Sequence, residues 1–163
     1  MKNAILVPGR PDKDEHYDPK RPSNSEDHWF SWLKRQLILK DIHAVSIEPP
    51  FPFRPRYEDL SDHKDLKVGK VLLVAPWINP LKYEVSDTAD FFDFAIDPDF
   101  PTRTEAAIVF ISSDDEPSVV KTVEILREKV KGLKFKEYTD KGHFVIDSLG
   151  TEDFPDLLSE LLA

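Results

Sequence analysis

The segment "EAAIVFISSDDEP", residues 105–117, combines a strand-like apolar run with a pair of acids directly behind it. The next segment, "SVVKTVEILREKVKG" (118–132), has apolar residues at helical spacing and closes on Gly132, which is typical of an amphipathic helix. Another strand is expected in "LKFKEYT" (133–139). A strand, a helix and a strand in this order form a right-handed crossover between parallel strands. The fold is therefore predicted to be α/β with a mostly parallel sheet.

Three other apolar runs predict further strands: "NAILVPG" (3–9), "HAVSIEPP" (43–50) and "KVLLVAPW" (70–77). Helices are predicted over 27–40, with Ser25 as the N-cap, and in "TEDFPDLLSELLA" (151–163), with Thr151 as the N-cap. Strands that alternate with helices favour a single three-layer α/β/α domain over residues 1–163. The strands are expected near 4–7, 44–47, 71–74, 106–111 and 134–138.

The composition limits the classes of function. The chain contains no cysteine, which excludes disulfides, thiolate metal sites and a cysteine nucleophile. Its formal net charge of −9 disfavours nucleic acid and anionic membrane surfaces as partners. No apolar run reaches membrane-spanning length, and "MKNAILVPG" has too few consecutive apolar residues for a secretory leader. We therefore expect a cytoplasmic protein, and the sequence predicts no particular protein partner.

The proline-rich stretch 10–27 is too polar for a protein core and is expected to form a functional or a disordered loop. Four of its side chains are of types that bind metals: Asp12, Asp14, His16 and Asp18. They do not match a calcium loop, because no glycine stands at the sharp turn and no glutamate closes the loop. A solvated loop is the preferred interpretation, and we expect neither a metal nor a cofactor.

Acidic and histidine side chains follow two strands that one crossover connects. Asp114 and Asp115 lie just past the fourth strand, and His143, in "DKGHF", lies just past the fifth. Parallel strands end at the same edge of a sheet, where a carboxylate could orient the imidazole and stabilise its protonated form. The alternative is structural: Asp115 or Ser118 would cap the following helix, and Gly142-His143 would form only a turn.

Several segments occur in an order that matches a known family: "NAILVPG", "EDHWFSWLKRQL", "KVGKVLLVAPWINP", "DFFDF", "FISSDDEPSVVKTVEILRE" and "DKGHFVIDSLGTEDFPDLLSELL". In this combination the chain resembles the small single-domain α/β-hydrolase serine hydrolases of the retinoblastoma-binding-protein type. The resemblance implies Asp115 as the triad acid, with Asp114 as the second choice, and His143 as the base. Asp115 is preferred because it lies three residues past Ser112, as the acid does in the family's strand-end turn. A contact of about 2.6–3.2 Å between acid and base is then expected.

The resemblance also implies residues around the triad. Gly9 and Arg10 follow the first strand, where the family places part of its oxyanion hole, although Pro8-Gly9 stands where His-Gly is common. Trp29, Trp77 and Phe144 are candidates for lining the substrate pocket. For Trp29 the alternative is a core anchor. The substrate of full-length relatives would be a small ester or amide.

The family's nucleophile elbow, G-x-S-x-G, is missing. No glycine in this chain is followed two positions later by serine, and only 23 residues (48–70) separate Ile47 from Val71. The family fits a helix, a central strand, the elbow and a second helix into roughly twice that interval. An internal deletion near Leu60-Ser61 would explain the gap. Direct pairing of the first and third strands would then give a flavodoxin-like order, 2-1-3-4-5.

Three functions remain open at the level of sequence. The first is a carboxylesterase-like hydrolase-family protein that keeps the acid and the base but is inactive without its serine. The second is a non-catalytic binding or interaction module on the same fold. The third is a small-molecule binder at the strand edge, although no glycine-rich phosphate loop supports a nucleotide.

Overall fold

The computed structural model describes residues 2–48, 68–78 and 95–163. The chain divides into two compact units. The terminal unit comprises residues 1–55 and 145–163, and the central unit comprises residues 56–144. Each unit is described by itself, and the prediction of one domain over 1–163 stays a prediction.

In chain order the helices and strands of the described residues are β1 (Lys2–Leu6), α1 (Lys13–His16), α2 (Phe30–Ile38), β2 (Ile42–Ser46), β3 (Val68–Val74), β4 (Thr104–Ser112), α3 (Pro117–Lys129), β5 (Lys134–Tyr138), α4 (Ile146–Leu149) and α5 (Pro155–Leu162). Short 3₁₀ turns occupy Asn24–Glu26 and Phe100–Arg103.

The terminal unit is a β-α-β crossover with a second helix on it. β1 and β2 pair in parallel, with Ala4 opposite Ala44, and α2 packs against both strands and against α5. Leu33 and Leu37 of α2 are each 1% exposed, because residues four apart lie on the same face of a helix. The apolar stripe that the sequence indicates is thus the face that α2 buries.

The central unit is a three-stranded parallel sheet in the order β3-β4-β5. Its middle strand, β4, is buried without interruption over residues 107–112, as expected for a strand with neighbours on both edges. α3 packs on β4 and buries Val119, Val123 and Leu126, which recur at helical spacing. This sheet carries the two strand ends that the sequence singled out.

The α/β class with parallel strands is confirmed, and each of the five strands overlaps its predicted position. The single five-stranded sheet is corrected: within the described ranges the strands form two sheets, β1-β2 and β3-β4-β5. Burial alternates along β1, because Leu6 is buried while Ile5 is 71% exposed. The apolar run of β1 therefore does not indicate a strand that is covered on both faces.

The predicted helix caps are wrong. The N-cap of α2 is Trp29 and that of α5 is Phe154, neither with a side-chain cap bond. Ser25 lies in a 3₁₀ turn instead, and Thr151 Oγ1 accepts the Asp153 amide outside the helix. Packing explains the difference, because Trp29 stacks on Phe30 and contacts Phe154 edge-to-face. Aromatic burial therefore determines where these helices begin.

The polar stretch 10–27 contains the single-turn helix α1. Arg21 contacts Glu15 and donates to the carboxylate of Asp27 at 2.8 Å. Ion pairs therefore connect residues within this stretch to one another. Among the described residues, no three acidic or histidine side chains lie close enough together to hold a metal ion. In the same part of the chain, no helix has the length and apolar character needed to cross a membrane.

Leu33→Ala is expected to destabilise the terminal unit by about 3 kcal/mol, because a buried leucine leaves a cavity as well as lost apolar contacts. Leu39→Ala is the matched control, since Leu39 caps the same helix but is 58% exposed; its cost should stay within about 0.5 kcal/mol. Urea unfolding followed by far-UV circular dichroism measures both. Equal losses in the two variants would contradict the assigned core.

Candidate active site

Two strand ends of the central unit lie side by side. Ser112 is opposite Tyr138 at the last step of the β4–β5 ladder, and the Ser113 amide donates to the Tyr138 carbonyl at 2.8 Å. The polypeptide therefore leaves both strands at the same edge. The segments that follow, 113–116 and 139–144, carry the acids and the histidine.

Asp115 and His143 meet at this edge. Nδ1 of His143 lies 2.9 Å from Oδ1 of Asp115, within the distance expected from the sequence. The Asp115 side chain is inaccessible to solvent, whereas 47% of the His143 side chain is exposed. The same Oδ1 accepts the Glu116 amide at 2.7 Å. A buried carboxylate thus orients a half-exposed imidazole through one of the two ring nitrogens.

The second oxygen of Asp115 has no hydrogen-bond partner among the described residues and is buried. A buried carboxylate with few partners is costly unless an opposite charge compensates it. The imidazolium form of His143 supplies such a charge at hydrogen-bonding distance. The acid and the base are therefore coupled electrostatically as well as by geometry.

The environment favours the protonated form of His143. The hydrogen bond to Asp115 raises the pKa of this histidine, burial opposes the rise, and the charges of Asp115 and Glu116 add to it. With Nδ1 facing Asp115, Nε2 is the nitrogen left for proton transfer. Among the described residues, no hydrogen bond to Nε2 is found.

Asp114, the second-choice acid, makes different contacts. Its Oδ1 accepts the hydroxyl of Ser112 and, at 3.0 Å, the amide of Gly142. The Ser112 hydrogen bond is the main reason that the pKa of Asp114 is lowered, and the Gly142 amide adds to it. Asp114 therefore binds the backbone beside His143, while Asp115 binds the imidazole itself.

The candidate pocket residues differ in their surroundings. Phe144 is 1% exposed and packs edge-to-face on Tyr138, and its role in lining a pocket stays a prediction. Trp29 is 9% exposed within the terminal unit, in keeping with its alternative role as a core anchor. Trp77 follows β3 in the central unit, is partly exposed, and stays a candidate.

The oxyanion candidates Gly9 and Arg10 lie in the terminal unit. The Gly9 carbonyl accepts the side-chain amide of Asn24 at 2.8 Å. This bond attaches the loop after β1 to the 3₁₀ turn at Asn24–Glu26. A role for Gly9 or Arg10 toward a substrate stays a prediction.

Three serines are close in sequence to the acid, and none of them is bonded to His143 in the described structure. Ser112 is fully buried, donates to Asp114 and accepts the Lys141 amide at 3.0 Å. Ser118 is 1% exposed in the first turn of α3. Ser113 is exposed, with its amide bonded to β5. The sequence did not single out Ser112 as part of the site, and only its position at the strand end could have indicated this.

The chain was compared with known proteins and structures. No protein-family model matches it. A curated protein of Bacillus subtilis (strain 168), named "Putative hydrolase YdeN", is 40% identical over 40 residues, which is 24% of this chain and 21% of that protein. The match thus spans about a fifth of the relative.

A solved structure extends this likeness over the whole fold. The crystal structure of the ydeN gene product from B. subtilis matches with a TM-score of 0.75 and 21% sequence identity, over 99% of this chain and 97% of that one. At this identity the match shows the fold. The chain therefore has the α/β fold of the ydeN gene product.

His143→Gln should change how stability depends on pH. Because the folded-state pKa of His143 is raised, the pair stabilises the fold fully below the unfolded-state pKa of histidine. This contribution is lost as pH rises through the folded-state pKa. The difference in unfolding free energy between wild type and His143→Gln should therefore shrink with rising pH across that window. Urea titrations at several pH values measure it.

The control for this experiment is His43→Gln, which changes an exposed histidine on β2. A pH-independent difference for His143→Gln would contradict the coupling of His143 to Asp115.

Proposed function

We propose that this chain is an α/β-hydrolase-like protein of carboxylesterase type that keeps the acid–base pair but has no serine nucleophile. Asp115 is the acid and His143 the base of this pair. The chain as given is then expected not to hydrolyse esters through a covalent acyl-serine. The substrate class inherited from the full-length architecture is a small ester or amide.

The observation that carries this proposal is the 2.9 Å contact between Nδ1 of His143 and Oδ1 of Asp115 at the ends of two adjacent parallel strands. A carboxylate at this nitrogen selects the tautomer with Nε2 free and stabilises the imidazolium that forms when Nε2 takes a proton. The fold shared with the ydeN gene product supports the same interpretation.

The missing nucleophile limits what the pair can do. A triad serine acts from a sharp strand-to-helix turn, where the imidazole removes its proton and backbone amides receive the developing oxyanion. The sequence has no G-x-S-x-G motif. Ser112 already uses its hydroxyl within the strand-end network, and burial removes Ser118 from contact with a substrate. Neither offers an accessible hydroxyl to Nε2.

Without a nucleophile, His143 could still act on water as a general base. General acid–base catalysis alone contributes about 10²–10⁴-fold, far less than a complete triad with its oxyanion hole. A weak activity that depends on His143 but forms no covalent intermediate would indicate general-base attack by water. The presence of an acyl-enzyme therefore distinguishes nucleophilic catalysis by a serine from general-base catalysis more sharply than the rate does.

Wild type and His143→Ala should hydrolyse p-nitrophenyl acetate at slow rates that differ by less than about 100-fold, the lower bound for a positioned general base. No serine should carry an acetyl group by mass spectrometry, and a fluorophosphonate probe should leave the protein unlabelled. The physical reason is the absent elbow, and a deficient acid or base is not required.

Asp140→Ala is the control for a change of charge near His143, because Asp140 is exposed and precedes the histidine by three residues. Its rate should equal that of wild type. Turnover that collapses in His143→Ala, together with an acylated serine at any position of the chain, would overturn the proposal. It would identify a displaced serine as the nucleophile.

A further inference from the structure

The backbone just before His143 is held by side chains from the neighbouring strand end. The Lys141 amide donates to Oγ of Ser112 at 3.0 Å, and the Gly142 amide donates to Oδ1 of Asp114 at 3.0 Å. Ser112 in turn donates its hydroxyl proton to the same Oδ1 of Asp114. Two consecutive amides are thus attached to one small network of two side chains.

The backbone just after His143 is held by burial. Phe144 is 1% exposed and packs on Tyr138, and its amide donates to the Lys141 carbonyl at 2.9 Å, which closes a tight turn. Its φ of +56° is rare for a residue with a side chain, so the surrounding contacts must maintain this conformation. His143 is therefore fixed on both sides along the chain.

We propose that Asp114 and Ser112 are positioning residues, which hold the 141–142 backbone so that the imidazole of His143 meets Asp115. They act on the histidine through its main chain and touch neither the ring nor a substrate. In this arrangement the two adjacent aspartates have separate tasks. Asp115 binds the ring, and Asp114 places the residue that bears it.

The geometry distinguishes this role from a simple effect of charge. Both contacts of Asp114 fall on one oxygen, Oδ1, and an asparagine in the same rotamer keeps an acceptor there. The charges of Asp115 and Glu116 raise the pKa of His143, and Asp114 makes its own contact with the backbone of Gly142. Replacing Asp114 by asparagine therefore removes a charge and preserves the support, whereas alanine removes both.

The inference rests on the proposed acid–base pair, but it is tested without any measurement of catalysis. The titration of the His143 ring is followed by NMR in wild type, Asp114→Ala, Asp114→Asn and Asp115→Asn, with the signal assigned through its loss in His143→Gln. Asp115→Asn and Asp114→Ala should both lower the pKa of His143 towards the ordinary histidine value. Asp114→Asn should retain the wild-type value. Hydrogen exchange of the Gly142 amide should accelerate in Asp114→Ala and stay slow in Asp115→Asn.

Asp140→Ala removes an exposed charge from the same turn without touching the network, and it should leave the titration unchanged. An Asp114→Ala titration equal to wild type, beside a lowered pKa in Asp115→Asn, would overturn the positioning role and leave the pair intact. An unchanged titration in Asp115→Asn would instead overturn the proposed pair. A pKa lowered equally by Asp114→Asn and Asp114→Ala would assign the effect to charge and also refute positioning.

If Asp114→Ala does not fold, Ser112→Ala provides the same test, since it removes the Lys141 contact and leaves the Gly142 contact in place. It should lower the pKa of His143 by less than Asp115→Asn does. If His143 titrates in folded Ser112→Ala as it does in wild type, and the Lys141 amide exchanges at the wild-type rate, the inference is contradicted.

Discussion

The parallel pairing of β4 with β5 is the constraint on which the rest of the central unit depends. β4 is buried along residues 107–112 between two neighbours, and its register with β5 puts Ser112 opposite Tyr138. A slip of one residue would send every side chain of a strand to the other face. The same slip would separate Asp115 from His143, because each follows its strand by only a few residues. The register of β4 and β5 thus determines both the packing of the core and the geometry of the candidate site.

The site is a small polar network at the border of an apolar core. Hydrogen bonds connect three of its members, Ser112, Asp114 and Gly142. These bonds restrict the conformation of the backbone before His143. A polar network of this type specifies one arrangement only when its members are satisfied. Asp115 departs from this rule, since its buried Oδ2 lacks a partner in the described part of the chain. Its pairing with His143 therefore bears most of the compensation for a buried charge.

The sequence predicted the parts of the structure that follow from periodicity. The buried run of β4, the apolar stripe of α3 and the fifth strand at Lys134–Tyr138 all lie where the pattern of apolar residues indicates. The same order of elements placed an acid and a histidine at one sheet edge. Residue spacing predicts such proximity because parallel strands end together.

Other features depend on contacts that periodicity does not encode. The left-handed backbone at Phe144 follows from packing on Tyr138, and no residue type there announces it. The start of α2 at Phe30, after its N-cap Trp29, follows from ring stacking, which outweighed the capping tendency of Ser25. The division into two sheets was not foreseen either, because the apolar run of β1 looks the same whether one face or both are covered. The different hydrogen-bond partners of Asp114 and Asp115 likewise follow from the three-dimensional structure and not from the order of residues.

Asp115 and His143 are only 28 residues apart along the chain, and among the described residues the hydrogen bonds of Ser112 and Asp114 to the backbone before His143 fall within the same short stretch. Contacts of short sequence separation close small loops, which form early during folding because they lose little chain entropy. The contacts between Asp115, His143 and the residues beside them therefore close without the entropy loss of a long loop. A change of chain length upstream of β3 would leave these short-range contacts unchanged.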